Sequence, residues 1–183
     1  MYSAWQRLNL ARAHDREEFQ RLLKDARIHL TFVCRLYKKQ MDAGRLLLHE
    51  HPAYATSWGE RAVRRVLSRE DVESTIMDQC AYGQKSFRGL PVKKPTRWMS
   101  KSEPILKELS TRCAGKNGEC SHSPGGHDAC SGRVAKEAAI YPFKICEAIL
   151  KGLRKHLEEQ GITRSNKNKE IQGKPGITRN YLE

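Results

Sequence analysis

Apolar residues Phe19, Leu22, Leu23, Ala26, Leu30, Val33 and Tyr37 recur at three- and four-residue steps, which predicts one long helix over residues 15–43. Asp15 is its candidate N-cap, Glu17 and Glu18 suit the positive end of its dipole, and Gly44 stops it. The pattern then changes. Leu46, Leu47 and Leu48 form a short apolar run between a glycine and Pro52, which reads as a buried strand. Ser57 and Glu60 have the spacing of a capping box ahead of a helix with Ala62, Val63, Val66 and Leu67 on one face. Residues 72–77 read as the next strand. Helix, strand, helix, strand is the order of a parallel α/β unit, and it constrains the fold more than any other feature of the chain.

A third strand is expected at residues 96–99. A second capping box, Ser100 with Glu103, precedes a short helix over 103–110. Residues 113–133 are rich in Gly, Cys, His and Ser and cannot form a regular element. A last helix starts near Pro142, with Ile145, Ala148, Ile149, Gly152 and Leu153 on one face, and ends at Gly161. The expected fold class is therefore α/β, a partial Rossmann-like parallel sheet of about three strands flanked by helices. Residues 1–160 form the domain, 113–133 a Cys/His-rich loop within it, and 161–183 a basic flexible tail.

Two features are lacking. The chain has neither GxGxxG nor GxxxxGK[ST], so a nucleotide or cofactor loop is not expected. No apolar run approaches the length of a membrane span, and the N-terminal residues do not read as a secretion signal. No membrane partner is expected, and the setting is intracellular, with nucleus and cytoplasm equally compatible. The six cysteines then read as thiols or metal ligands.

Lys and Arg number 34 against 21 Asp and Glu, a formal charge of +13 that favours anionic partners such as nucleic acid. Lys93, Lys94, Arg97 and Trp98 combine cations with an aromatic ring, a pattern suited to phosphate contact with base stacking. Arg61, Arg64 and Arg65 add a basic helix face, and Lys167, Lys169 and Lys174 add tail cations. The expected binding is weak and non-specific, because scattered cations neutralise phosphates without reading bases. Cys113, Cys120, His122, His127 and Cys130 lie within one loop, and four of them make a candidate zinc set. No organic cofactor is expected, and zinc is the one that these residues suit, with Cys113, Cys120, His127 and Cys130 as the set and His122 as a substitute. Cys80, at the end of the second strand, lies near a site in this reading.

Leu48-His49-Glu50-His51-Pro52 places a carboxylate and two imidazoles at a strand end, where α/β folds hold their sites. Taken in order, Tyr2-Ser3, the His49-Glu50-His51-Pro52 run, Asp78-Gln79-Cys80-Ala81-Tyr82-Gly83, Lys94-Pro95-Thr96-Arg97, the His/Cys loop and Tyr141-Pro142-Phe143-Lys144-Ile145-Cys146 form a pattern. It resembles a methyltransferase-like α/β segment of copia-type retrotransposon polyproteins, notably those of dinoflagellates. That segment is similar to the second half of the DNA cytosine-5 methyltransferase fold.

The resemblance implies that Tyr2-Ser3 match the aromatic-Ser pair that follows the nucleophile, which then falls upstream of Met1. It implies that Glu50 is a vestigial counterpart of the glutamate that contacts the target cytosine. Gln79 matches the start of a Gln-x-Arg-x-Arg element, with Cys80, Ala81, Tyr82 and Gly83 after it. The function so implied is a catalytically inactive fragment of a retroelement polyprotein, not an enzyme, without cofactor loop or nucleophile. The competing readings are a small basic nucleic-acid-binding module stabilised by zinc, and part of an active DNA methyltransferase whose upstream sequence is missing.

Overall fold

The computed structural model describes residues 16–162. Tyr2-Ser3 and the tail lysines Lys167, Lys169 and Lys174 lie outside the described residues. The first helix, α1 (Arg16–Asp42), buries Leu23, Cys34 and Met41, with Leu30 and Tyr37 partly buried on the same stripe. Gly44 takes a left-handed φ of 73°, which lets its N–H reach Met41 O and lets the Arg45 N–H reach Gln40 O. That pair of bonds closes the helix end as a Schellman motif. Gly161 and Ile162 close the last helix, α5 (Phe143–Glu159), in the same way through Glu158 O and Leu157 O.

Three strands form the sheet, β1 (Leu48–Pro52), β2 (Glu73–Asp78) and β3 (Pro95–Ser100). Their spatial order is β1-β3-β2, and β3 pairs antiparallel with both neighbours. The expected parallel, Rossmann-like sheet is therefore corrected. β1 and β2 do run the same way, and a helix, α2 (Arg61–Leu67), does connect them. They are not neighbours, because β3 inserts between them in the opposite direction. The result is a split β-α-β arrangement and not a parallel ladder.

The capping boxes are corrected as well. Residues Thr56–Gly59 make a 3-10 turn, with the Glu60 N–H bonded to Ser57 O, and the Glu60 carboxylate accepts from Arg27 on α1 at 3.0 Å. The cap of α3 (Glu103–Glu108) is Ser102 and not Ser100. Ser100 instead donates its hydroxyl to Leu47 O at 2.7 Å and accepts the Ser102 N–H.

Helices cover both faces of the sheet. α1, α2 and Trp58 pack with Met99 and Leu47 on one side. α3 and α5 pack with Met77 and Trp98 on the other. Trp98 and Met99 are successive residues of β3, so their side chains point to opposite faces. α3 and α5 approach closely at Gly152, where a Cβ would lie 2.5 Å from Ile105 Cα. The Glu108 carboxylate bridges to Lys151 at 3.0 Å across the same contact. A further short helix, α4 (Gly132–Glu137), buries Val134 against Val92 and Ala138.

Candidate metal centre

Strand β2 ends at Asp78, and a 3-10 turn over Gln79–Tyr82 follows at once. Gln79 is fully buried and fixes this turn, its backbone N–H bonding Lys94 O and its side-chain amide donating to Thr96. The turn places Cys80, itself buried, beside the loop that follows α3. In that loop Lys116-Asn117-Gly118-Glu119 forms a tight turn. Asn117 and Gly118 both have positive φ, 52° and 84°, and the Glu119 N–H returns to Lys116 O. Two positive φ values at the central positions make this a type I′ turn, the type that Asn-Gly favours. The chain then doubles back, with the Cys120 N–H on Gly125 O and the His127 N–H on Gly118 O. Gly115 must be glycine, because a Cβ there would lie 2.0 Å from Glu119 O.

This path brings Cys80, Cys113, Cys120 and His127 together, with one ligand atom from each within 4.8 Å of all the others. Cys113 Sγ lies 3.9 Å from Cys120 Sγ and 3.5 Å from His127 Nε2. Tetrahedral zinc, with Zn–S about 2.3 Å and Zn–N about 2.0–2.1 Å, requires S···S edges of about 3.8 Å and S···N edges of about 3.6 Å. The four side chains can therefore coordinate a zinc ion, and three sulfurs with one imidazole match its ligand preference.

The surroundings also suit a metal. Burial pushes the Cys113 thiol up, but hydrogen bonds from the Ser121 hydroxyl and N–H, the Gly115 N–H and Cys80 outweigh it and hold the thiol at about 5. Burial, followed by Cys113 and Cys120, pushes the Cys80 thiol up. The Cys120 sulfur accepts the His122 N–H at 3.5 Å. Both backbone groups of Cys113 are held by side chains. Its N–H donates to Asp78 Oδ2 at 2.9 Å, and its carbonyl accepts from Lys93 Nζ at 3.2 Å. Asp78 is completely buried, and the same oxygen accepts from Arg112 Nε at 2.9 Å. On the far side of the loop Asp128, next to His127, is held by Arg88 and by its own N–H on Pro91 O. Supporting bonds of this kind orient metal ligands and tune their basicity.

Of the five loop residues read as ligands, Cys113, Cys120 and His127 converge. His122 turns away and its Nε2 bonds Arg112 O at 3.0 Å, while Cys130 packs beside Val92, Val134 and Ala138. Cys80 completes the set from a different element. Its one sequence signal is its position directly after β2, since more than thirty residues separate it from Cys113.

The residues read as nucleic-acid contacts separate into two groups. Lys94 donates to Ala138 O at 2.8 Å, and Lys93 to Cys113 O. Arg97 donates to Ser74 and lies 4.6 Å from the centroid of the Trp58 ring. Trp98 is 2% exposed and packs against Tyr141, so its ring is not free to stack on a base. Arg61, Arg64 and Arg65 are exposed and line one surface depression with Gly59 and Ser68.

Glu50 sits on the α5 face of the sheet. Burial raises its carboxyl, and a bond from Tyr141 and the charge of Lys94 pull the other way. His49 faces α1, its Nδ1 3.0 Å from the Tyr37 hydroxyl and its ring edge-on to Trp58. Burial, then the neighbouring His51, lowers its pKa to about 4.

No protein-family model, curated protein or solved structure matches the chain. The antiparallel sheet departs from the methyltransferase arrangement as well. The resemblance to the retrotransposon methyltransferase-like segment is therefore corrected, and with it the reading as an inactive retroelement fragment. The role for Glu50 implied by that resemblance has no support from either finding. Among the described residues no helix is long and apolar enough to cross a membrane.

Proposed function

We propose that the chain is a small basic module, stabilised by one zinc ion, that binds nucleic acid weakly and without sequence preference. The observation that carries this reading is the convergence of Cys80, Cys113, Cys120 and His127. Four protein ligands close the coordination sphere and leave no position for a water or substrate, which is the character of a structural site. The metal supplies cross-linking there. It joins the end of β2 to a loop whose residues between Cys113 and Cys130 contribute little to the apolar clusters, so that binding free energy becomes folding free energy. An intracellular setting, where thiols stay reduced, suits three cysteine ligands.

The +13 charge supports a nucleic-acid partner. Arg61, Arg64 and Arg65 are the contacts favoured by exposure, whereas Lys93, Lys94 and Arg97 serve mainly to hold the fold together. The test is metal content by mass spectrometry together with oligonucleotide binding by fluorescence anisotropy. One zinc per chain is expected, lost in C113S and C120S and kept in C130S. Retention of zinc by C113S, or binding that does not weaken with salt, overturns the reading.

A further inference from the structure

The cations of the described surface are not evenly neutralised. Arg88, Arg112, Lys151 and Lys155 pair with acids. On α2, Arg61, Arg64 and Arg65 have no acidic partner among the described residues, and neither has Arg35 on α1. The helix α2 itself contains no acid. Positions 61, 64 and 65 share one face, because residues three and four apart are neighbours on a helix surface.

Two depressions meet at Arg65. One is walled by Arg61, Arg64 and Arg65. The other runs between α1 and α2, walled by Arg35, Lys38, Arg65 and Arg69 over Met41 and Val66. Lys38 and Arg69 pair with Asp42, and Arg69 also pairs with Asp71. Set against those two acids, the six cations leave a surplus of four, carried by Arg35, Arg61, Arg64 and Arg65.

We infer that this α1–α2 groove is the surface that takes the phosphodiester backbone of a nucleic acid. The inference rests on the nucleic-acid reading given above and deepens it by naming the surface and the mode of contact. The groove has arginine guanidinium groups, which suit phosphate oxygens. Its lining has no aromatic ring for base stacking and no Asn or Gln for reading adenine edges, and Arg61, Arg64 and Arg65 flank a surface depression with no acidic partner among the described residues to direct them to one base. A backbone contact follows, with duplex and single strand bound by the same charges. No large apolar side chain of α2 is exposed, but α1 exposes Ile28, Phe32 and Leu36, so an anionic membrane surface is the competing occupant that the vesicle arm of the test separates.

Four neutralised phosphates predict a slope of log affinity against log salt of about −3.6 on duplex, a loss of roughly 100-fold between about 50 and 200 mM salt. The experiment uses the full zinc-loaded chain, a fluorescein-labelled duplex of about 20 base pairs and oligo-dT of equal length, with anisotropy read across salt. The triple variant R61Q/R64Q/R65Q is expected to reduce the slope to about −0.9. The control K107Q/K136Q/K144Q, which removes three exposed lysines elsewhere, is expected to leave it unchanged. A triple variant that keeps the wild-type slope overturns the inference, as does a control that loses it. Binding to phosphatidylserine vesicles with no binding to duplex overturns it too. Zinc content is measured on every sample. Loss of the slope in the triple variant of a chain that holds no zinc supports the groove and refutes the zinc reading alone, a zinc-loaded chain that ignores duplex at low salt refutes the nucleic-acid reading and the groove with it, and a triple variant that keeps the wild-type slope refutes the groove alone.

Discussion

Replacing Asp78 with alanine tests whether the metal centre is organised from outside its ligands. Asp78 Oδ2 accepts both the Cys113 N–H and Arg112 Nε, each at 2.9 Å, from a fully buried position two residues before Cys80. Alanine leaves the buried Cys113 N–H without an acceptor, at about 1–3 kcal/mol. The Arg112 side chain is 44% exposed and regains water, so its share is about 0–1 kcal/mol. The expected loss of stability is therefore about 1–4 kcal/mol. With Cys113 no longer tied to the strand that carries Cys80, zinc affinity should fall about 10–100-fold.

Asparagine keeps an oxygen for the Cys113 N–H but not the charge, and D78N should fall between wild type and D78A on both scales. The assay is competition for zinc against a chromophoric chelator near neutral pH, paired with urea unfolding of loaded and metal-stripped protein. If D78A folds and binds zinc within about twofold of wild type, the reasoning fails, and Ser121 and Lys93 alone position Cys113.

Trp98→Ala should cost about 3–5 kcal/mol in urea unfolding, because the ring is buried against Tyr141, and should leave the oligo-dT affinity of the folded fraction unchanged. Normal stability with weaker single-strand binding would place the ring at the ligand instead. His49 has a pKa lowered from 6.5 to about 4 by burial and then by His51, so the unfolded chain binds a proton that the folded chain refuses between those values. Stability is then full above about pH 6.5 and falls as pH drops toward about 4, by up to about 3 kcal/mol. Unfolding of wild type and H49Q from about pH 7.5 to about pH 4.5 should give a flatter profile for H49Q, and identical profiles refute the assignment. Gly152→Ala sets a Cβ 2.5 Å from Ile105 Cα and 2.8 Å from Pro104 O, both backbone atoms, and should cost about 1–3 kcal/mol as α5 shifts from α3. An unchanged melting temperature would show that the two helices pack less closely.

Local chemistry alone determined the two long helices, α1 and α5, whereas the short α4 went unread. The stripe of Phe19, Leu22, Leu23, Ala26, Leu30, Val33 and Tyr37, closed by Gly44, specifies α1 and its C-terminal end to within one residue, although Leu22 is exposed and Cys34 and Met41 carry much of the burial, and Pro142 and Gly161 bound α5 equally well. A helix encodes its buried face in its own periodicity, and its end in one residue that accepts a positive φ. Cysteine and histidine content likewise marked residues 113–133 as a stretch without a core of its own. Strand partnership was decided elsewhere. The apolar pattern of a strand reads the same in either direction, so Leu46 to Pro52 and Thr96 to Met99 carry no mark of whether they pair parallel or antiparallel, or of which lies in the middle. That choice came from packing both sheet faces at once, with Met99 against α1 and α2 and Trp98 against α3 and α5. It also took Trp98 into the core, turned Lys93 and Lys94 to backbone carbonyls, and brought Cys80 to Cys113. A ligand set or a charged surface depends on residues distant in the chain meeting in space, and the only carrier of that information is the tertiary packing.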